Sequence, residues 1–456
     1  MTGAATSMTS AGKIESYPQL GRASYILGLL SAGLVLSYID RQIITVLVEP
    51  IKHDLALSDT AIGALQGVAL MLFLGAVSIP ASRLADSWNR RNLAVGSILG
   101  WSVFTCICGA AQNYWQLFSA RIGVGVCEAV FIPVIFSLIA DLFEPKRRVN
   151  AVLAYLVFGL IGGSAGMISA SAAFGQLTQH TADQLLVIGN IAPWRATFVL
   201  VGMPGLVLAL LFLTFPEPRR LGLPAIPMPS TGVLATFVRH RRTYLLFGAG
   251  VLFMTISTSA IINWIVPILM RSHGVSVNYA GVRVSAVAGV GSLLGIALSA
   301  LVNRFVRRRR GDAQILDILI ISGVIASPML LVFWRASTPV TALIGFGSFF
   351  CLYNIGGALW TPLALTLSPA SCRAQIMTLF AATTIWAEGL QMVMVGSLSD
   401  HAFSGANGLL NAAFTVSISG LLLSAACFVA ARKPLAASAR EVEPVTALNL
   451  ESNSGV

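Results

Sequence analysis

The chain has 456 residues, with 29 Lys or Arg, 18 Asp or Glu and a formal net charge of +11. Only 10% of the residues are charged, against about 25% in a soluble domain; 56% are hydrophobic, and the mean hydropathy is +0.81. A water-soluble fold of this size has no interior large enough for that apolar surface, which excludes soluble enzymes, nucleic-acid binders and disordered scaffolds.

The N-terminal tail, 1–24, is polar and has no apolar signal region, so no cleaved leader is expected. Apolar runs of bilayer-spanning length, about 20 residues, then occur twelve times. They cover 25–47, 60–82, 93–111, 115–140, 149–174 and 194–215, then 243–269, 279–302, 314–334, 340–366, 375–398 and 408–431. In lipid only helices and closed barrels satisfy the backbone, and the alternating pattern of a barrel strand is absent. The predicted fold class is an all-α membrane protein with twelve transmembrane helices. The polar linker 217–242 divides them into bundles at 25–216 and 243–431, and a polar tail, 432–456, follows.

Basic residues set the expected orientation. Lys13 and Arg22 precede span 1, and Arg83, Arg90 and Arg91 follow span 2. Lys146, Arg147 and Arg148 follow span 4, and the linker carries Arg219, Arg220, Arg239, Arg241 and Arg242. Arg304 and Arg307 to Arg310 follow span 8, Arg373 follows span 10, and Arg432, Lys433 and Arg440 lie in the C-tail. These are 22 cations on one side, against Lys52, Arg195, Arg271, Arg283 and Arg335 on the other. Cytoplasmic loops carry such an excess, so both termini are expected inside. The net charge therefore reads as topology rather than as an attraction to nucleic acid.

The two halves also repeat. Ser82-Arg-Leu-Ala-Asp-Ser-Trp-Asn-Arg-Arg91 aligns without a gap on Ser299-Ala-Leu-Val-Asn-Arg-Phe-Val-Arg-Arg308, each after the second span of its half. Parallel six-helix repeats around a midplane site are a transporter architecture.

Leu84-Ala85-Asp86-Ser87-Trp88-Asn89-Arg90-Arg91 resembles the loop 2–3 motif of the major facilitator superfamily, with serine at 82 and 87 where that motif has glycine and arginine. Several first-half segments are similar to the Spinster family: Tyr38-Ile39-Asp40-Arg41, Arg121-Ile-Gly-Val-Gly-Val-Cys-Glu128-Ala, Ile139-Ala-Asp141-Leu-Phe143, Trp194-Arg195 and Pro216-Glu-Pro-Arg219. Gly396-Ser-Leu-Ser-Asp400 fits in the second half, and the likeness covers about 25–430. The resemblance implies the major facilitator fold, two pseudo-symmetric six-helix bundles. It further implies transport of a lysophospholipid or sphingolipid, with proton coupling expected.

Ionisable groups deep in a membrane helix are costly and mark pathways. Asp40 and Arg41 lie about 22 Å into span 1 at 1.5 Å per residue, at a depth similar to Arg121 of span 4. Arg121 and Glu128 share a helix face two turns apart, so Asp40 is expected to pair with Arg121, and Arg41 to reach Glu128 or a ligand phosphate. Proton coupling is assigned to Asp40 and Glu128, with either as the carrier. Arg41 and Arg121 match a phosphate bidentately. The alternative is two fixed ion pairs joining spans 1 and 4.

Glu388 is the one clear deep charge of the second half, facing either the same cavity or a local bond to Thr383, Thr384 or Gln391. Asn263, Trp264, Tyr353, Asn354 and Trp360 are weaker candidates for the cavity wall. Asp86, Arg90 and Asp141 are expected at helix ends, where the superfamily resemblance implies a gate latch; Asp86 is also placed to cap span 11.

Glycines four apart in span 2 (Gly63, Gly67), span 5 (Gly159, Gly163 and Gly162, Gly166) and span 8 (Gly291, Gly295) suit close helix contact. By the family resemblance spans 5 and 8 face each other. Pro133 and Pro362 are expected to kink spans 4 and 10.

A pump is disfavoured because there is no phosphate-binding nucleotide loop, and an enzyme because the five histidines lie near helix ends. A channel is disfavoured by charges gathered at a central site. No metal or other cofactor is expected; the six cysteines read as small apolar residues. The expected partners are protons, membrane lipid and an amphipathic lipid or small-molecule substrate. The chain is expected to act as a monomer in a bacterial inner membrane. A proton-driven drug or organic-anion exporter of the same fold is the alternative.

Overall fold

The computed structural model describes residues 17–180, 191–220, 230–310, 315–368, 373–403, 405 and 407–451. Lys13 and Cys372 lie outside these residues, and the side chains of Arg307 to Arg310, Arg373 and Arg440 are likewise outside the description.

Among the described residues, twelve helices are long and apolar enough to cross a membrane. In chain order, helices 1 to 6 are Leu20–Asp54, Asp59–Ser78, Arg90–Ala110, Tyr114–Leu142, Lys146–Gln179 and Pro193–Phe212. Helices 7 to 12 are Arg241–Ile262, Val277–Phe305, Ile315–Trp334, Pro339–Thr366, Gln375–His401 and Gly408–Ser438. A short helix, Ser230–Arg239, lies in the linker. The first six helices pack as one bundle and the last six as another, meeting along two seams: helix 2 on helix 11, and helix 5 on helix 8.

Lipid tails are as apolar as leucine, so packing and polar contacts hold these helices together rather than the hydrophobic effect. Glycine decides where backbones touch. On the first seam, a Cβ added at Gly63 or Gly67 would strike the carbonyl of Met392 or Gly389, and one at Gly396 the carbonyl of Asp59. The glycine pair of helix 2 thus joins the halves.

The other expected pairs act differently. A Cβ at Gly162 would lie 3.0 Å from Val35 Cα, and one at Gly166 2.8 Å from Ile39 Cα, both on helix 1. A Cβ at Gly295 would lie 2.5 Å from the Cys351 carbonyl oxygen of helix 10. Those pairs tighten helices inside one bundle. The helix 5–helix 8 seam uses Gly289 and Gly281 instead, opposite Ser164 and Ser171. The sequence motif gave the spacing but not the face.

Helix 2 is locally underwound and widened. A π-helical turn, Gly67–Leu72, separates Asp59–Gln66 from Phe73–Ser87. Two second-half helices are interrupted: helix 7 stops at Ile262 and resumes as Ile265–His273, and helix 10 stops at Gly357 and resumes as Trp360–Thr366. Each stop falls five residues before a proline, Pro267 or Pro362, whose missing N–H leaves the carbonyl four residues back, at Asn263 or Ala358, without its helical donor. The break at Pro362 agrees with the expected kink. Pro133 instead sits inside an unbroken Tyr114–Leu142. Gly274 closes the resumed part of helix 7 at φ 64°, a left-handed cap that favours glycine.

Candidate functional site

Asp40 and Arg41 are consecutive, so their side chains leave helix 1 about 100° apart and find different partners. Asp40 Oδ2 accepts from Arg121 Nη1 at 3.0 Å, and its Oδ1 from Thr105 Oγ1 of helix 3 at 2.5 Å. Asp40 is 2% exposed and Arg121 0%, so this pair is sealed within the first bundle. Arg41 Nε donates to Glu128 Oε2 at 2.9 Å. Glu128 is buried, but the Arg41 side chain remains 21% exposed, with its guanidinium carbon 5.6 Å from the Tyr38 ring centroid. Both expected pairings form, yet only the second reaches the space between the bundles.

The local packing explains that placement. Gly162 and Gly166 let helix 5 press on the backbone of helix 1 at Val35 and Ile39, while Arg41, two residues beyond Ile39, reaches Glu128 of helix 4. Gly125 of helix 4 allows the same approach to the π-helical turn, where a Cβ would lie 2.7 Å from the Leu70 carbonyl oxygen. π-helical turns recur at functional sites.

Glu388 comes from the second bundle and lies within electrostatic reach of Arg41. The local bond considered for it does not form. Thr383 and Thr384 donate to the carbonyls of Leu379 and Ala381 on their own helix, and both polar atoms of the Gln391 side chain are buried without a partner.

The other second-half candidates are held within their own bundle. The Tyr353 hydroxyl donates to the Met254 carbonyl at 3.4 Å, tying helix 10 to helix 7. The Asn354 amide donates back to the Phe350 carbonyl at 2.7 Å. Trp360 packs on the second-bundle core. Asn263 caps the first segment of helix 7, and Trp264 is fully buried.

On the arginine-rich face, Arg90 is a hub of the first bundle. It pairs with Asp141, its Nε donates to Glu217 at 2.8 Å and its Nη2 to the Pro218 carbonyl at 2.7 Å. Its Nη1 also reaches Ser137 Oγ at 3.1 Å. The expected cluster therefore anchors the end of helix 6 to helices 3 and 4. Asp86 is exposed, and Arg220 holds its backbone carbonyl while donating to those of Ala85 and Trp88 at 2.9 and 2.8 Å. The cap of helix 11 by Asp86 is not among the described contacts. In sequence Glu217 is visible only within a family-like segment, and Arg220 only as a linker cation.

The opposite face carries a lock that sequence reasoning missed. Arg271, in the resumed part of helix 7, donates to both oxygens of Asp59 at 2.7 Å, and its Nε donates to Glu49 at 2.7 Å. Lys52 and Ser399 add bonds to Asp59 at 2.6 and 2.7 Å. Asp400 then accepts from the backbone N–H of Asp59 and of Thr60 at 3.1 and 2.7 Å, and from the Thr60 hydroxyl at 2.6 Å.

A carboxylate at the end of helix 11 thus caps helix 2, where free N–H groups and the helix dipole favour an anion. Burial opposes the charge on Arg271, but the bonds to Asp59 and Glu49 outweigh it and hold its pKa above the ordinary value. The lock, with the glycine contacts beside it, closes the bundles on this face. Its signal in sequence is five charged residues within short segments at helix ends, of which Lys52 and Arg271 read only as topology.

The Major Facilitator Superfamily pattern matches residues 30–387. The chain belongs to that superfamily. A bacterial homologue of the human lysosomal transporter Spinster, solved inward-facing and unoccupied, superposes with a TM-score of 0.75 at 26% identity, covering 93% of this chain and 98% of that one. An MFS-type efflux pump of Mycolicibacterium smegmatis is 31% identical over 281 residues, 61% of each chain. The sphingosine-1-phosphate transporter SPNS2 of Danio rerio is 24% identical over 306 residues, 63% of this chain and 58% of that one. The matched region is thus less than two thirds of the length of either curated relative. The family and its structural neighbours are membrane transporters rather than enzymes, and the Spinster-like reading of the first-half segments agrees with them.

Proposed function

We propose that this transporter moves an amphipathic anionic lipid with one acyl chain, of the lysophospholipid or sphingoid phosphate class, by proton-coupled alternating access. The observation that carries the reading is the Arg41–Glu128 pair, a buried carboxylate bonded to a part-exposed arginine beside the space between the bundles. Glu388 approaches that arginine from the other half.

The chemistry follows from the pair. Ionised Glu128 occupies Arg41. Protonation removes the carboxylate's charge and frees the guanidinium to accept a phosphate in its planar fork. Substrate and proton then bias the same arginine, and release of the phosphate allows Glu128 to ionise again. Asp40 serves as the fixed counter-charge of Arg121, a positioning role, because the pair is sealed from the central space. Glu388 assists by attracting Arg41 once substrate has left.

The lock of Asp59, Arg271 and Asp400 closes one side, which supports a reading in which the space between the bundles opens at the arginine-rich face. With that face cytoplasmic, as the positive-inside rule expects, the structure is inward-open. The opposing state would open the lock and let Asp86 approach helix 11. The working unit is a single chain in a bacterial inner membrane with both termini cytoplasmic.

Proteoliposomes given an imposed pH step test this. Labelled lysophospholipid should move, and unlabelled lysophospholipid should compete while a soluble cationic dye does not. Glu128→Gln should move lipid without its pH dependence. An unchanged pH profile would sink the proton assignment. Efflux of the dye with no competition by lipid would favour the second reading, a drug exporter, which the efflux-pump relative supports.

A further inference from the structure

A cavity of about 940 Å³ lies outside the central site, between helices 8 and 10. That is at the upper end of the ~300–1,000 Å³ of small-molecule pockets. One wall is a single face of helix 8 running from Tyr279 and Arg283 to Val290 and Leu294; the other includes Val340 and Ile344 of helix 10. Val290, Leu294, Val340 and Ile344 are all more than half exposed although apolar. Gly291 and Gly347 form the floor. A Cβ at Gly291 would lie 3.2 Å from the Gly347 carbonyl oxygen, so the two helices touch there and leave a trough above.

The trough starts at the arginine-poor end of both helices. From Tyr279 to Leu294 it spans about 22 Å at 1.5 Å per residue, about three quarters of a ~30 Å hydrocarbon core. The bundles are locked together on that face, so exposed apolar side chains at this depth face lipid rather than the central space.

Arg283 stands near the mouth. It is exposed, and its guanidinium carbon lies 3.6 Å from the Tyr279 ring centroid. No carboxylate pairs with it among the described residues. Stacking on the tyrosine fixes the plane of the guanidinium and leaves its N–H donors unused. An unpaired charge at a lipid-facing position needs an anion or water, and the headgroup layer supplies phosphate.

We propose that this trough is a binding site for a membrane phospholipid of the arginine-poor leaflet. One acyl chain lies between helices 8 and 10, and the phosphate is held by Arg283. The site is separate from the central one and does not depend on the function proposed for it.

Native mass spectrometry of the purified full chain in detergent tests this. The probes are dioleoyl phosphatidylglycerol and dioleoylglycerol, which differ in the phosphate-bearing headgroup. Wild type should retain phosphatidylglycerol about tenfold more tightly than dioleoylglycerol, the effect of a charge-assisted hydrogen bond. Arg283→Gln should abolish that preference, and Arg283→Lys should keep part of it. Ile344→Trp, which fills the trough, should weaken both lipids.

Thermal melting of each variant separates lost binding from lost folding. Equal retention of the two lipids by wild type would overturn the proposal, as would an Arg283→Gln protein that still prefers phosphatidylglycerol.

Discussion

The two halves share a scaffold but not a chemistry. In the first half, helices 1 and 4 are unbroken and carry four buried or part-buried charges in two ion pairs. Their counterparts by position, helices 7 and 10, are each interrupted before a proline and hold aromatic and amide side chains tied to their own bundle. An unbroken helix keeps its carbonyls occupied, so any charge on it must find its partner in a neighbouring side chain. A broken helix offers free carbonyls of its own and bends easily. The contrast assigns electrostatics to the first half and conformational compliance to the second, with Glu388 as the second half's one charge near Arg41.

The largest expected effect comes from unpairing the sealed site. Asp40→Asn leaves Arg121 as an uncompensated buried charge, which costs about 3–5 kcal/mol. The variant should melt well below wild type in detergent. A melting temperature equal to that of wild type would show that the sealed pair is dispensable and that the first half is no more electrostatic than the second.

Next in size is the chamber pair. Glu128→Gln should retain most of its thermal stability, because Arg41 is already part-exposed, but lose the pH dependence of transport. If Glu128→Gln instead unfolds while Asp40→Asn does not, the roles assigned to the two pairs are reversed.

The lock comes third. Arg271→Gln removes charge-assisted bonds worth about 1.5–3 kcal/mol each, shifting the balance of open states by about tenfold or more. Spin labels on the arginine-poor ends of helices 2 and 11 should report a larger separated fraction. Gly63→Ala should move the same distance distribution in the same direction, since its Cβ would strike the Met392 carbonyl. No change in either variant would mean that the closure rests on other contacts.

The smallest effect is expected at the breaks. Pro267→Ala restores a donor near Asn263 and should alter stability by about 1 kcal/mol or less while slowing turnover. Pro133→Ala in unbroken helix 4 should change turnover little. Equal slowing in both would erase the distinction between compliant and rigid halves.

Much of the site was legible because charge in lipid is rare. Asp40, Arg41, Arg121 and Glu128 stand out against apolar runs, and helical spacing places them at matching depths, so the sequence predicts both pairs. The lock was less legible. Asp59, Glu49 and Asp400 sit at helix ends, where charge is common, and joining them requires knowing that helix 2 lies against helix 11. Glycine spacing was equally ambiguous: Gly63–Gly67 joins the halves while Gly162–Gly166 tightens one bundle.

The sequence by itself determined the twelve spans, the division into halves and the candidate charges, because hydrophobic length and the cost of burying an ion are properties of short segments. The tertiary structure alone decided which arginine faces the central space, which glycines meet across the seam and which carboxylate caps a helix from the opposite bundle. Those outcomes depend on the rotation of each helix about its axis, and a nearly uniform apolar surface carries too little amphipathic signal to fix that rotation in advance.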